Sequence, residues 1–517
     1  MEPQRERSVQ EVALNNPIIL TEILKQSSAP LKSCRLVSHF WNEMVLSLRN
    51  TRLALNLNTK DEEVETYPLP FLAFFDLCSK FDARLAKRVT GKTSNCTEET
   101  YPLAGKLSHL CISFSDRVEI LDMRINYEDC LKSISLVFRN SLPNLKQLRI
   151  RFAFFDDNEE YDYVPKREIF VTPLPEKPNL TVFNLKSEVV AASPILTSFA
   201  QLVVNASPNL REATLPWGFY PDLERSKFLD TLTLELDDAR GLDVALKQLN
   251  PSELTRMLDQ VGGQLLHLSF SYSTFHYGKS MTEDYHVVDN STPPGFRLLR
   301  KMPKLRKFDN EMIDIIQHSD LWQDIGRMPA LKSLRIGKIW KDSTSVDTSL
   351  KNLFEKQHIF TNVADLRIHE LHDPRLLDGL KTAFPNLQKL WLDNKEAGME
   401  LGVVLKACVG WGGLNHLHIG LPTYAKKMWD IVKALLDCAE LYKDLKSLEI
   451  ETHSWDLTWH DLTETELHVF KEALYSMKGM DRVVIRDLYF GDESRRNILD
   501  VMASNEMPMW KFKVVQE

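Results

Sequence analysis

One phrase recurs along most of this chain: an apolar anchor, two residues, an apolar residue, one residue, and a further apolar residue. It is clearest as LPNLKQLRI (142–150), MPALKSLRI (328–336) and FPNLQKLWL (384–392). Weaker copies are KPNLTVFNL (177–185), SPNLREATL (207–215), FLDTLTLEL (228–236), GQLLHLSF (263–270) and MPKLRKF (302–308). NVADLRI (362–368), GLNHLHI (413–419) and KDLKSLEI (443–450) continue the series, with fainter copies at Leu107 and Met480. From Leu107 to Met480 the period averages about 31 residues. Alternating apolar residues make a strand with one buried face, which a lone strand cannot hide. Stacking successive strands in a parallel sheet hides it, each repeat covering the next.

Between these strands the sequence turns helical. SELTRMLDQVGG (252–263), RLLDGLKTAF (375–384), AKKMWDIVKALLDCAELY (425–442) and TETELHVFKEALYSM (463–477) carry apolar residues at i, i+3, i+4 and i+7. Strand then helix at this period, around L-x-x-L-x-L, is the leucine-rich-repeat signature. It predicts an α/β fold, a right-handed horseshoe with parallel strands on the concave side and helices on the convex side. Residues 105–517 are read as this solenoid, about 12–13 irregular repeats with a C-terminal cap. In that cap MPMWKFKVVQE (507–517) supplies the closing strand, with Trp510 and Phe512 covering the last repeat. The Leu, Pro and Asn of the phrase are scaffold. Residues 51–104 form a connector and N-terminal cap, in which LPFLAFFDLCSKF (69–81) is too apolar to be a free linker.

The stretch 16–44, NPIILTEILKQSSAPLKSCRLVSHFWNEM, has another rhythm. Its apolar residues (Ile19, Leu20, Ile23, Leu24, then Leu31, Cys34, Leu36, Val37 and Trp41) recur mostly at three and four. That spacing writes two short amphipathic helices split by the breaker run Ser27-Ser28-Ala29-Pro30. Helices this short around one Trp bury too little to stand alone. The module therefore needs a partner, either its own downstream chain or another protein. Pro17 with Leu20-x-x-Ile23-Leu24, then Leu31-x-x-Cys34-Arg35-Leu36-Val37-Ser38-x-x-Trp41, resembles the F-box. In that family the module docks substrate receptors on the Skp-type adaptor of cullin–RING ubiquitin ligases. Asn16 stands where the family usually has Leu, and Pro30 where an acid usually precedes Leu31. The resemblance implies a small all-α F-box over 13–50, after a flexible tail at 1–12. It implies adaptor contacts at Pro17, Leu20, Ile23, Leu24, Leu31, Leu36, Val37 and Trp41, with Trp41 open to the alternative of internal packing. The competing reading of this stretch is a helical cap on the domain that follows.

Composition narrows the function classes. Of 517 residues, 43% are hydrophobic and 26% charged, ordinary globular values that exclude wholesale disorder. A net charge of −8 argues against a nucleic-acid-binding protein as a whole, which would carry a basic excess. Seven cysteines at 34, 78, 96, 111, 130, 408 and 438 include no CxxC pair, so they form neither a disulfide framework nor a zinc site. No run of 18 apolar residues reads as a membrane span, and the polar start MEPQRERSVQEV does not read as a signal peptide. The chain is expected in the cytoplasm, the nucleus or both.

Side chains between the last two apolar positions of each copy are expected to leave the concave face. In order they are Arg149, Asn184, Thr214, Thr233, Ser269, Asp309, Arg335, Arg367, Trp391, His418 and Glu449. Strands about 5 Å apart would place them in one row. Arg335, Arg367, Trp391 and His418 make a basic-aromatic run, flanked by Lys389, His369 and His416. Arg and Trp are enriched at interface hot spots, so this run is the candidate contact for a protein substrate, in particular an acidic or phosphorylated segment. Polar insertions at 154–170 and 271–296 fall on a rim, and Asp156, Asp157, Glu159, Glu160, Tyr161 and Tyr163 offer a grip for a basic partner or a solvated loop.

Enzymatic signatures fail on spacing. Gly91-Lys92-Thr93 lacks the Gly of a phosphate loop five positions earlier, where Ala86 stands. His369-Glu370-Leu371-His372 is one residue too short for a zinc helix. His453, Trp455, Trp459, His460 and Asp461 hold no nucleophile or ligand pattern. By resemblance, then, this is a non-catalytic substrate receptor, without cofactor, metal or membrane, partnered by the adaptor and through it a cullin. Two rival readings stand beside it: a plain repeat scaffold outside any ligase, and a co-receptor that holds a small ligand, a polyphosphate or a hormone, together with its substrate.

Overall fold

The alternation of the repeat phrase becomes a ladder of parallel strands in the computed structural model. The structure describes residues 9–26, 29–48, 53–57, 71–80, 82–92, 97–125, 129–152, 170–187, 193–237, 249–273, 302–312, 321–337, 345–394, 400–421, 428–452, 461–486, 490–508 and 511–515. The chain divides into two compact units, Met1–Leu229 and Asp230–Glu517.

In the first unit, β1 (Leu55–Asn56), β2 (Arg88–Lys92), β3 (Ile120–Ile125), β4 (Gln147–Phe152), β5 (Val182–Ser187) and β6 (Glu212–Pro216) pair in sequence order, all parallel. The second unit continues in the same manner through β7 (Thr231–Asp237), β8 (His267–Ser273), β9 (Lys307–Asn310), β10 (Ser333–Ile336) and β11 (Asp365–His369). Its remaining strands are β12 (Lys389–Asp393), β13 (His416–Leu421), β14 (Ser447–Thr452), β15 (Arg482–Arg486) and β16 (Phe512–Val515). Parallel neighbours need long crossovers, and most of these contain a helix. The predicted helical stretches appear as Pro251–Val261, Leu376–Ala383, Met428–Asp437 and Glu464–Ser476. Asn250 caps the first through the Glu253 amide, and Thr463 and Glu466 close a reciprocal capping box on the last.

Burial follows the phrase. In β4, Leu148, Ile150 and Phe152 are buried while Gln147, Arg149 and Arg151 alternate on the open face. Each fully buried side chain of this kind contributes about 1.5–3 kcal/mol, so the repeated face is what holds the ladder together. The Asn of the phrase has a scaffold task of its own. Asn144, Asn179 and Asn209 donate from Nδ2 to the carbonyls of Asp116, Pro143 and Pro178, each in the preceding turn. Asn362 and Asn386 repeat this on Pro329 and Thr361. These bonds stitch one repeat to the next where no strand hydrogen bond reaches.

The sheet begins earlier than the spacing predicts. Leu107 lies in the helix Thr97–Ser113, and the strand of that repeat is β3, reached through Val118, Leu121 and Met123. Two strands, β1 and β2, lie inside 51–104, the stretch expected as a connector. In β2 the third apolar place of the phrase is Gly91, whose face is filled by the Met123 thioether. Phe71–Lys80 is helical, and Phe512 is buried in the closing strand. Trp510, the acidic residues of 154–169, the segment 274–296 and residues 453–460 lie outside the described residues.

Lys177 is the one lysine of the phrase turned inward. Its Nζ donates to the Ser141 carbonyl at 2.6 Å and lies 5.3 Å from the Phe138 ring centroid. Burial pushes its ammonium down from 10.5 to about 8. The folded chain gives up this proton near pH 8 while the unfolded chain keeps it to about 10.5, so stability rises with pH across that window. We expect Lys177→Met to be about 2 kcal/mol more stable than wild type at pH 7, with the advantage lost by pH 10.5. Paired denaturant titrations at the two pH values check this.

Candidate functional site

The first candidate is the N-terminal module, four short helices: α1 (Val9–Leu14), α2 (Pro17–Lys25), α3 (Leu31–Cys34) and α4 (His39–Ser47). The first of them begins inside the stretch expected as a tail. Asn16, the departure from the family pattern, caps α2: its side chain accepts from the Ile18 and Ile19 amides, with Pro17 pre-set at the first helical position. Ser38 caps α4 through the Trp41 amide at 3.2 Å. Leu20, Leu24, Leu31, Val45, Leu48 and Leu53 form one core, with Trp41, Met44, Phe40 and Leu85 packed against it. Leu53 and Leu85 come from downstream, so the chain itself completes the module. A bidentate pair, Arg84 to Glu43 at 2.8 and 2.9 Å, ties α4 to the same downstream segment.

This separates the eight expected adaptor residues into two groups. Leu20, Leu24 and Leu31 face inward, and Trp41 is half-buried against them. Pro17 and Ile23 are exposed, and Leu36 and Val37 stand out at 88% and 61% exposure in the turn before α4. Ile18 and Ile19, which are not among the contacts the resemblance implies, are exposed as well, Ile18 at 75% and Ile19 at 43%. The surface of this small module thus shows five branched apolar side chains, three on α2 and two in the turn before α4.

The second candidate lies in the second unit. Strand register places Asp309, Arg335, Arg367, Trp391, His418 and Glu449 as direct neighbours on successive strands, the row read from the phrase. Arg335 is held on two sides. Its Nη1 meets Glu311 Oε1 at 2.6 Å and its Nε donates to His369 Nε2 at 2.9 Å. An acceptor at Nε2 leaves the proton of His369 on Nδ1, 3.7 Å from Asp393 Oδ2. Burial pushes this imidazole down, so it is neutral at pH 7. The Glu311 carboxyl is pushed up, burial outweighing the pull of Arg335.

The next three members make a continuous stack. Arg367 places its guanidinium 5.0 Å from the Trp391 ring centroid, and Trp391 lies on His418 at 3.6 Å with 20° between planes. Glu449 closes the row, 3.9 Å from His418 Nδ1 and 3.0 Å from Arg486 Nη2. At the other end burial raises the Asp309 carboxyl, yet hydrogen bonds from His267 and Lys307 hold it below its ordinary value. Carboxylates close this row at both ends, with Arg335 and Arg367 adjacent between them. Its half-exposed members, Arg367 and Trp391, suit an anionic group.

A third arrangement was missed from the sequence. One position beyond the last apolar residue, Lys92, Arg124, Arg151 and Lys186 are register partners on β2 to β5 of the first unit. The residues are visible in GKT, MRI, IRF and LKS; that they adjoin needs the register. Among the described residues no group of His, Cys, Asp and Glu could hold a metal ion, and no helix is long and apolar enough to cross a membrane.

No protein-family model matches the chain, and no curated protein matches its sequence. Among solved structures it is similar to a structural-genomics target from Bacteroides fragilis, at 12% identity and a TM-score of 0.29. The likeness covers 56% of this chain and 65% of that one, so it spans less than two thirds of that protein's length. At that level it assigns neither family nor activity.

Proposed function

We propose that this chain is a substrate-recognition subunit of a cullin–RING ubiquitin ligase. Residues 13–50 act as the F-box that docks a Skp-type adaptor, and the repeats, wound as a right-handed leucine-rich-repeat horseshoe, capture a protein substrate. The observation that carries the reading is the five-residue apolar surface of the N-terminal module: Ile18, Ile19, Ile23, Leu36 and Val37 remain exposed although the chain has completed the core beneath them. A mere cap has no use for such a face, and water penalises it. The receptor contributes proximity and no chemistry: holding substrate near a charged conjugating enzyme raises their effective concentration. Substrate contact falls on Arg367 and Trp391; His418, expected as a third contact, is buried under the Trp391 ring and supports it, and Arg335 is anchored by Glu311 and His369.

The test is a pull-down of the intact protein by a purified Skp-type adaptor. Stoichiometric capture is expected. Absence of capture by folded protein would remove the ligase reading and leave a repeat scaffold with a helical cap.

A further inference from the structure

The run of stitching asparagines in the first unit breaks at its last turn. Asn144, Asn179 and Asn209 hold the place just before the anchor leucine in three consecutive repeats, each bonded to the turn before it. In the next repeat the anchor is Leu229, and Phe228 takes that place with 58% of its side chain exposed. Its ring belongs to no core, and no other ring or cation stacks on it among the described residues. It walls one side of a cavity of about 460 Å³ within this unit, together with Pro178, Asn179 and Asn209. Lys146, Thr181 and Arg211, each just ahead of its strand, line the rest. They stand side by side: the Thr181 amide donates to the Lys146 carbonyl and the Arg211 amide to the Thr181 carbonyl, both at 2.9 Å.

The polar groups of this cavity are unevenly occupied. Lys146 is shared with Glu119 at 2.9 Å. The Arg211 guanidinium is exposed and makes no hydrogen bond or ion pair among the described residues. Asn179 and Asn209 commit their Nδ2 groups to the Pro143 and Pro178 carbonyls, and no described residue donates to either Oδ1. No carboxylate lines the cavity.

We propose that this cavity captures the C-terminal residue of a peptide, one with an apolar side chain. Its carboxylate meets Arg211, its amide N–H meets an asparagine Oδ1, and its side chain lies against Phe228 and Pro178. The charge count selects the anion. Lys146 is already neutralised by Glu119, so the unshared Arg211 leaves one positive charge, enough for a carboxylate and short of the nearly two negative charges of a phosphate. A chain end carries the acid, the donor and the apolar group within one residue. An internal Asp or Glu sets its acid apart from the backbone N–H and has no apolar group on the same residue. Lys146 and Arg211 lie two strand spacings apart, about 9.6 Å, so the lysine adds a weaker second pull across Thr181. The assignment stands on the first unit alone and does not rest on adaptor docking.

Fluorescence anisotropy of the full chain tests this with an N-terminally labelled hexapeptide, Gly-Ser-Gly-Ser-Gly-Phe, ending in a free carboxylate. Saturable binding is expected, with a loss of roughly tenfold or more in Arg211→Gln, which removes the charged partner of the carboxylate. Phe228→Asn should lose about as much through the missing apolar contact. Its melting temperature should match or exceed that of wild type, because an exposed ring gives way to the residue the preceding repeats use. Arg225→Gln makes the same change in net charge at an exposed arginine outside the cavity, and it should bind as wild type does. Amidation of the peptide's C-terminus should abolish binding. Equal binding of the amidated peptide overturns the proposal, as does undiminished binding by folded Arg211→Gln or Phe228→Asn. Failure of the free-acid peptide to saturate folded wild type overturns it as well. A third peptide, amidated and with Glu before the Phe, separates the two sources of carboxylate: if it binds as tightly as the free acid, the cavity reads an acidic side chain and the C-terminal assignment fails.

Discussion

On the proposed function, replacing Ile18, Leu36 and Val37 together by Asp is expected to abolish capture by the Skp-type adaptor while leaving the melting temperature within a degree or two of wild type. All three side chains are exposed in the free chain, so a polar substitute removes no internal contact. Covered by a partner, each would contribute about 1.5–3 kcal/mol of apolar burial. Their joint loss is at least about 5 kcal/mol, more than a thousandfold in affinity, before the cost of burying carboxylates is counted. The opposite pattern is expected for Leu20→Ala and Leu24→Ala. Both residues are fully buried, so each costs about 2–5 kcal/mol of stability, and capture falls only with the folded fraction. Titrating adaptor against the variants, with calorimetry of each alone, separates the two effects. Unaltered capture by the triple Asp variant would mean that the adaptor, if bound, uses another surface.

That contrast also marks how far periodicity reads. Helical spacing puts Leu20, Leu24, Leu36 and Val37 in one apolar set, and nothing in it distinguishes residues the chain buries from those it leaves out. The distinction depends on Leu53 and Leu85, which close one side of the module and lie beyond any local pattern. Strands were legible for a physical reason: L-x-x-L-x-L encodes burial directly. So was the row from Asp309 to Glu449, because a shared phrase imposes a shared register. Legibility failed where the phrase was interrupted. Gly91 replaces the apolar residue that would have announced β2, and the apolar spacing around Leu107 belongs to a helix. Likewise no spacing rule could show that Arg335 is taken up by Glu311 and His369 while Arg367 stacks on Trp391. Those choices depend on side-chain direction across three strands.

Gly337→Ala is expected to destabilise the second unit by about 3–5 kcal/mol, a large value for one methyl group. Gly337 directly follows β10 with φ +93°, a region that L side chains enter only at a cost of about 1–2 kcal/mol. Conformation is the smaller part. A Cβ there would lie 2.3 Å from the His369 carbonyl oxygen and 2.8 Å from Val346 Cγ1. The carbonyl is backbone, fixed at the end of β11, so relief requires parting β10 from β11. Gly410→Ala supplies the comparison: its φ is +74°, yet nothing lies within 4 Å of the added carbon. That variant should show the conformational cost alone, about 1 kcal/mol. At 2–4 °C per kcal/mol, the first substitution should lower the melting temperature by roughly 10 °C and the second by a few degrees. Equal shifts would show that the clash relaxes freely and that only φ matters. The site should register the difference too, since the strand pair forced apart carries Arg335 and the His369 imidazole that fixes it. In Gly337→Ala the resonance of that buried, neutral imidazole should shift or broaden, and in Gly410→Ala it should stay as it is.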